Sequence, residues 1–98
     1  MAINKKYLKT KNVCKVTFQF PSESYEKASL VGDFNNWDTT SHPLKKLKKG
    51  AFKIELPLDA GKVYEFKYVV DGNYVNEEEA DKYVWNDFAN SENSVLVL

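Results

Sequence analysis

The segment from Val31 to Asp38 places a tryptophan, Trp37, in a polar turn directly after a short apolar run. A large indole among asparagines and aspartates is poorly suited to a core, so we expect its ring to be available to a ligand. A second segment puts Lys67 on a strand and Tyr74 just past a turn dipeptide. Aromatic rings pack against the C–H faces of sugars, while ammonium and carboxamide groups bond to hydroxyls. Together these residues favour a neutral, hydroxyl-rich ligand such as a sugar.

Residues suited to catalysis are sparse. The chain has one histidine, His42, and one cysteine, so no cluster of the two has metal-ligand spacing. A glycosidase requires two carboxylates that face each other across a cleft. Asp33, Asp38 and the acidic run at 77–79 are the candidates, but turn and solvent positions explain them better. We therefore expect a protein that is not an enzyme, with no catalytic residue, no metal and no cofactor.

The length of 98 residues and a hydrophobic fraction of 43% predict one domain with one core. No apolar run approaches the ~20 residues of a membrane helix. The first residues lack the apolar stretch of a secretory signal. The single cysteine, Cys14, lies in an apolar strand pattern and cannot form an internal disulfide. We expect a reduced, cytoplasmic setting and no membrane partner.

The basic residues of the chain are all lysines, 14 in number, and they balance 14 acidic residues. Proteins that bind nucleic acids usually rely on arginine to reach base edges and phosphates. The absence of arginine therefore argues against this class. The lysine cluster at 45–49 is better explained as a solvated loop. We expect no nucleic-acid partner.

Alternation of apolar and polar residues predicts short strands along the chain. The clearest one covers residues 13–20 and turns four apolar side chains to one face: Cys14, Val16, Phe18 and Phe20. Further strands are predicted at 28–34, 52–58, 63–70, 73–76 and 93–98. In the strand at 63–70, Tyr64, Phe66, Tyr68 and Val70 share the core face, so Lys67 points outward.

The number and spacing of these strands predict an antiparallel β-sandwich. About seven short strands alternate with turns, and no segment has the length of a normal packed helix. The stretch at 77–82 is too short and too charged for more than a helical turn. We expect residues 1–12 to form a lysine-rich arm and residues 13–98 to form the globular domain.

Three motifs stand in order at residues 32–37 (Gly-Asp-Phe-Asn-Asn-Trp), 64–72 (Tyr-Glu-Phe-Lys-Tyr-Val-Val-Asp-Gly) and 92–95 (Glu-Asn-Ser-Val). At this spacing they resemble carbohydrate-binding module family 48. The family includes isoamylase N-terminal (early set) domains and the glycogen-binding domain of AMP-activated protein kinase β subunits. The resemblance spans about residues 13–98. It implies an all-β, immunoglobulin-like (early set) sandwich.

The resemblance also implies a carbohydrate site. In glycogen-binding members, the tryptophan at the position of Trp37 stacks on glucose, and the lysine at the position of Lys67 donates to sugar hydroxyls. A second stacking tryptophan of the family is replaced here by Tyr74. Because a phenol offers less area than an indole, we expect weaker binding at that position.

The late loop of the family, residues 88–93 here, adds an apolar contact and polar side chains. Related bacterial sequences often have glycines where Ala89 and Asn90 stand, so the loop departs from the family pattern. Its candidate sugar contacts, with Glu92 as a secondary one, are Phe88, Asn90 and Asn93. Trp85 either extends the stacking platform or covers the end of the sandwich, and the second role is favoured.

These observations predict a non-catalytic module that binds α-glucans such as glycogen, starch or malto-oligosaccharides. The alternative is a protein-interaction module that docks onto a kinase or a glucan-metabolising enzyme, with the aromatics as contact residues and no sugar bound. A small glycoside hydrolase is a third hypothesis, which predicts release of reducing ends from starch.

Overall fold

Strands with alternating side chains build two antiparallel sheets that pack face to face. The computed structural model describes residues 2–21, 25–48 and 50–98. Their strands are β1 (Ala2–Tyr7), β2 (Val13–Pro21), β3 (Ala28–Gly32), β4 (Lys45–Lys46), β5 (Ala51–Asp59), β6 (Val63–Val70), β7 (Asn73–Val75), β8 (Lys82–Asn86) and β9 (Ser91–Val97). The predicted all-β sandwich is confirmed, with nine strands in place of about seven.

The strand order is β1-β2-β5-β4 in the first sheet and β3-β6-β9-β8 in the second, with β7 also paired to β6. All these pairs are antiparallel. Besides strands, the described residues contain one short 3-10 turn, Asp33–Asn35, at the end of β3. No helix in this part of the chain is long and apolar enough to cross a membrane.

The core lies between the sheets and uses the predicted inward faces. The ring of Phe18 in β2 meets Phe66 in β6 edge-on, with 5.3 Å between centroids, and Phe20 meets Tyr68 at 5.1 Å. Such edge-on and tilted pairs add to the stabilisation from burial alone. The buried cluster takes residues from both sheets: Cys14, Val16, Phe18, Phe20, Ala28, Leu30, Leu44, Phe52, Leu58, Phe66, Tyr68, Val70 and Leu96.

A buried carboxylate fastens the loop between β7 and β8 to this core. Glu77 is fully buried, and its Oε1 accepts a 2.7 Å hydrogen bond from the Tyr68 hydroxyl. Its backbone N–H donates to Ser94 Oγ at 2.9 Å. Burial raises the pKa of the Tyr68 hydroxyl, and the adjacent Glu77 raises it further, so this hydroxyl keeps its proton. The expectation that residues 77–79 are all solvent carboxylates is therefore wrong for Glu77.

The N-terminal residues form an edge strand. Strand β1 pairs with β2 along its whole length. Lys5 Nζ crosses to the second sheet and donates to Asp81 Oδ2 at 2.8 Å and to the Val97 carbonyl at 3.0 Å. Burial raises the pKa of Asp81, but hydrogen bonds from Lys5 and the Val97 N–H, with the Lys5 charge, hold it below its ordinary value. The predicted arm is thus a strand up to Tyr7, and the domain boundary after residue 12 stays a prediction.

Strand β8 occupies a segment for which the sequence pattern predicted no strand. It forms the edge of the second sheet, with Trp85 opposite Glu92 and Asn86 opposite Ser91. Residues in β8 are exposed or half-buried on both of its faces. An edge strand of this kind shows little hydrophobic alternation, which explains why the pattern missed it.

Gly32 allows β3 to end in close contact with β6. A Cβ atom added at Gly32 would lie 2.5 Å from the Glu65 carbonyl oxygen and 2.9 Å from both Phe34 Cε2 and Phe66 Cβ. The φ angle of Gly32 is 177°, which any residue can adopt. The position therefore requires glycine because of space and not because of backbone conformation.

We expect Gly32→Ala to lower the free energy of unfolding by about 3 kcal/mol, toward the upper end of the usual cost of overpacking. Gly61→Ala is the matched control, since Gly61 has a φ of 78° and open space where a Cβ would stand. Only backbone strain applies there, at about 1 kcal/mol. Urea denaturation of both variants measures the difference. An equal or larger loss for Gly61→Ala would contradict the close-contact explanation.

Candidate functional site

A cleft opens where β6 changes its neighbour. One edge of β6 pairs with β9 as far as Phe66 and with β7 from Tyr68 onward. Lys67 lies between these two ladders, and its side chain points away from the core as alternation predicted. On the other edge of β6, Lys67 pairs with Val31 of β3. The cleft has a volume of about 450 Å³ and lies on the outward face of the second sheet.

This cleft brings together five of the six residues predicted to contact sugar. Asn90 is the predicted residue that does not line it. The lining consists of Trp37, Lys67, Tyr74, Phe88 and Asn93 from the prediction, together with Asn86, Ala89 and Ser91. Residues from three separate parts of the sequence therefore meet at one surface.

Trp37 reaches the cleft from a turn with an uncommon backbone conformation. Asn36 and Trp37 have φ angles of 55° and 59°, in the left-handed region that a bulky side chain rarely adopts. The Trp37 N–H donates to the Gly32 carbonyl at 3.0 Å, and the Asp38 N–H donates to the Asn35 carbonyl at 3.1 Å. Strained conformations persist where surrounding contacts fix them, and they are frequent at functional sites. The turn thus fixes the backbone that carries the half-buried indole.

Two carboxylates brace the backbone on either side of this turn. Asp33 Oδ2 accepts a 2.8 Å hydrogen bond from the Glu65 N–H in β6. Asp38 Oδ1 accepts from the Thr40 N–H at 2.8 Å, and Asp38 Oδ2 accepts from Ser41 Oγ at 2.8 Å. The Thr40 backbone bond, followed by the hydroxyl bonds from Thr40 and Ser41, holds the pKa of Asp38 below its usual value. Both carboxylates therefore serve the turn.

The side chain of Asn35 connects the turn to β3 and to the following loop. Its Oδ1 accepts a hydrogen bond from the Gly32 N–H at 3.0 Å, and its Nδ2 donates to the Leu30 carbonyl at 2.9 Å. The same Nδ2 lies 2.8 Å from Nδ1 of His42. One carboxamide thus uses both of its ends to fix the start of the Trp37 turn.

Lys67 is a nearly buried cation, with 6% of the residue exposed. Its Nζ donates to Ser91 Oγ at 2.7 Å. Neither of the two salt bridges in the described residues involves Lys67. Because an ammonium group has three N–H donors, Ser91 leaves further donors available to an acceptor in the cleft.

Asn93 is a second buried polar residue of the cleft lining. It is 2% exposed, and its Nδ2 donates to Glu65 Oε1 at 3.0 Å. Its Oδ1 has no hydrogen-bond partner in the part of the chain that the structure describes. A buried acceptor without a donor costs free energy. Asn93 therefore lines the cleft with a polar side chain whose oxygen is shielded from solvent.

The β8–β9 loop supplies the exposed rim of the cleft. The Phe88 side chain is fully exposed, and its N–H donates to Asn86 Oδ1 at 3.0 Å. Asn90 has a φ angle of 52°, a conformation that glycine adopts most readily. Asn90 therefore shapes the loop, and its predicted sugar contact stays a prediction.

Three residues that line the cleft were not predicted from the sequence: Asn86, Ala89 and Ser91. Strand β9 begins at Ser91, two residues before the predicted start. Alternation continued backward from Asn93 puts Ser91 on the same outward face, so a longer strand would have revealed it. Asn86 pairs with Ser91 in register and reaches the cleft for the same reason.

Trp85 lies on the opposite face of the β8–β9 hairpin. It pairs with Glu92, next to the pair of cleft residues Asn86 and Ser91, and neighbouring positions on a strand point to opposite faces. The indole is 59% exposed, and its Nε1 donates to Asp87 Oδ1 at 2.7 Å. Trp85 neither lines the cleft nor packs on the described core. The favoured role as a cover for the sandwich end stays a prediction.

Residues 6–88 match the family model for Carbohydrate-binding module 48 (Isoamylase N-terminal domain). The chain belongs to this family. The match contains the Trp37 turn, Lys67, Tyr74 and Phe88, and the family that the three sequence motifs suggested is thereby confirmed.

Several relatives of this family 48 module are named 1,4-alpha-glucan-branching enzymes. The one from Saccharomyces cerevisiae is 54% identical over 48 residues, which cover 47% of this chain and 7% of the enzyme. The one from Paramagnetospirillum magneticum is 33% identical over 73 residues, which cover 72% of this chain and 10% of the enzyme. The one from Synechococcus sp. (strain CC9902) is 32% identical over 71 residues, which cover 71% of this chain and 9% of the enzyme. The chain thus spans a tenth or less of the length of these enzymes.

We expect Lys67→Met to leave the free energy of unfolding unchanged or to raise it by up to about 2 kcal/mol, because a buried cation without a carboxylate partner costs desolvation energy. Ser91→Ala is the matched comparison, since it keeps the ammonium and removes its acceptor. It should lower the free energy of unfolding by about 1 kcal/mol. Urea denaturation measures both. A lower stability for Lys67→Met than for Ser91→Ala would show that Lys67 is retained for folding.

Proposed function

We propose that this family 48 module binds α-glucans such as glycogen, starch or malto-oligosaccharides and catalyses no reaction. The observation that carries the proposal is the convergence of two aromatic rings, Trp37 and Tyr74, with the Lys67 donor at one cleft. The name shared by the relatives, 1,4-alpha-glucan-branching enzyme, supports an α-glucan as the ligand class.

The chemistry of the cleft matches a sugar ring in two respects. Exposed C–H groups of a glucose unit pack on an aromatic face, for which Trp37 and Tyr74 are available. Its hydroxyls both donate and accept hydrogen bonds. Lys67 has N–H donors beyond the one that bonds to Ser91 Oγ, and these can meet a sugar hydroxyl. Asn93 lines the same cleft and adds a polar side chain to it.

We expect the affinity to be modest. The cleft is open to solvent, and Tyr74 and Phe88 are exposed. A flexible oligosaccharide loses conformational freedom when it is ordered on such a surface, so only part of the contact energy appears as affinity. The smaller ring of Tyr74, where the family has a second tryptophan, lowers it further.

The absence of carboxylates from the cleft supports a binding role. Its described lining residues include no aspartate or glutamate. Hydrolysis of a glycosidic bond requires two carboxyl groups on either side of that bond. Asp33 and Asp38, the carboxylates considered for this chemistry, accept hydrogen bonds from the backbone around the Trp37 turn.

The cellular setting and protein partners are expectations of the same proposal. A single cysteine, Cys14, buried and free, is compatible with a reducing cytoplasm. A glucan-metabolising enzyme or a kinase is the class of protein partner that such a module would serve.

We expect Trp37→Ala to abolish retention on glycogen in native affinity electrophoresis, because it removes the main stacking surface. Trp85→Ala is the matched control: it deletes a second exposed indole on the other face of the β8–β9 hairpin and should keep the retention of the natural chain. Circular dichroism establishes that both variants are folded. Equal retention of folded Trp37→Ala and of the natural chain would contradict the proposed site.

A further inference from the structure

The hydrogen bonds of the Asn35 side chain determine which of its two terminal atoms is the oxygen and which is the nitrogen. The Leu30 carbonyl can only accept a hydrogen bond, so the atom 2.9 Å from it is the NH₂ group. The Gly32 N–H can only donate, so the atom 3.0 Å from it is the oxygen. The Leu30 carbonyl and the Gly32 N–H therefore fix the orientation of the Asn35 carboxamide.

This orientation fixes the protonation of the histidine beside it. The Asn35 NH₂ group lies 2.8 Å from His42 Nδ1, and a donor at this distance requires an acceptor. Nδ1 accepts only when the imidazole is neutral and carries its proton on Nε2. A protonated imidazole has N–H groups at both positions and no acceptor, so this bond exists only with neutral His42.

The surroundings of His42 connect it to the turn and to β3. Its ring packs edge-on against Phe34, with 6.1 Å between centroids, and its carbonyl accepts the Leu30 N–H at 2.9 Å. Asp38 is a charged group of the same turn, and its pKa is lowered mainly by the Thr40 N–H bond and least by the charge of a protonated His42, so it stays anionic in mild acid. Tyr64 also packs against the Phe34 ring, with 6.1 Å between centroids.

We propose that His42 is a positioning residue for Trp37, and that its protonation weakens α-glucan binding. The neutral imidazole holds the Asn35 carboxamide, which in turn holds the turn at Gly32. When His42 is protonated, its Nδ1–H and the Asn35 NH₂ group are two donors that face each other, so the Asn35 carboxamide or the His42 ring has to move. The turn contains two non-glycine residues with positive φ and depends on such bonds. The predicted effect on binding rests on the proposed function, whereas the predicted tautomer of His42 and the response of the Trp37 resonance do not.

The chain offers a clean experiment because His42 is its one histidine. Ring nitrogen NMR at about pH 7.5 should report the tautomer with the proton on Nε2. Across a pH series, the Trp37 indole N–H resonance should shift together with the resonances of the His42 ring.

Maltoheptaose titrations at about pH 7.5 and about pH 5.5 measure the effect on binding. We expect the natural chain to bind about five-fold more weakly at the lower pH, which corresponds to the net worth of one hydrogen bond. His42→Asn keeps an acceptor at the position of Nδ1 and cannot be protonated there, so its affinity should stay near the natural value at both pH values. His42→Leu has no acceptor and should bind weakly at both.

Three results would overturn the inference: a proton on Nδ1 at neutral pH, a Trp37 resonance that ignores the titration of His42, or the same pH dependence in His42→Asn as in the natural chain. If the natural chain bound no maltoheptaose at either pH, the proposed function would fail instead. The tautomer and the Trp37 resonance would still decide whether His42 positions this turn.

Discussion

The candidate site depends on the point at which β6 changes its neighbour from β9 to β7. A strand in the middle of a sheet normally has both edges paired without interruption. At Lys67 one ladder has ended and the next has not begun, so the two flanking strands separate there. That separation places Tyr74 on one side of Lys67 and Asn93 on the other, both on the outward face. The pairing of the sheet thus creates the cleft before any side chain is considered.

The cleft retains features that reduce stability and suit a ligand. Lys67 is a nearly buried cation without a carboxylate partner, and Asn93 carries a buried acceptor without a donor among the described residues. The Trp37 turn holds two consecutive non-glycine residues at positive φ. Each feature costs free energy in the isolated domain. The core beneath, with Phe66 and Tyr68 on the inward side of the same strand, supplies stabilisation that can offset these costs.

Sequence reasoning succeeded where one local rule decides the outcome. Alternation in β6 predicted that Lys67 points outward, and it does because its neighbours Phe66 and Tyr68 are fully buried. Predictions were wrong where the position of a residue depends on a partner from another part of the chain. Glu77 is the first of three consecutive glutamates, and it is buried because it bonds to the Tyr68 hydroxyl and to Ser94, which belong to β6 and β9. Strand β8 was not predicted because an edge strand shows little hydrophobic alternation. The cleft residue Asn86, which belongs to β8, was missed for the same reason.

The Trp37 turn combines both situations. Its residue types predicted an indole in a polar turn that is available to a ligand, and Trp37 is half-buried and lines the cleft. The three-way role of Asn35 was not predictable, since it depends on how Gly32 approaches β6 and on where the following loop returns His42. Side-chain types can indicate a binding chemistry, whereas the bonds that orient the binding group follow from the assembled sheet.

The most direct test of the central claim is a titration of the isotopically labelled chain with maltoheptaose, followed by amide and indole NMR. Binding at the cleft predicts saturable shifts at millimolar sugar that cluster at Trp37, Lys67, Tyr74 and Asn93. The indole of Trp85, on the far face of the hairpin, should stay unchanged. A spectrum without shifts at these cleft residues, or with shifts centred on Trp85, would contradict the account.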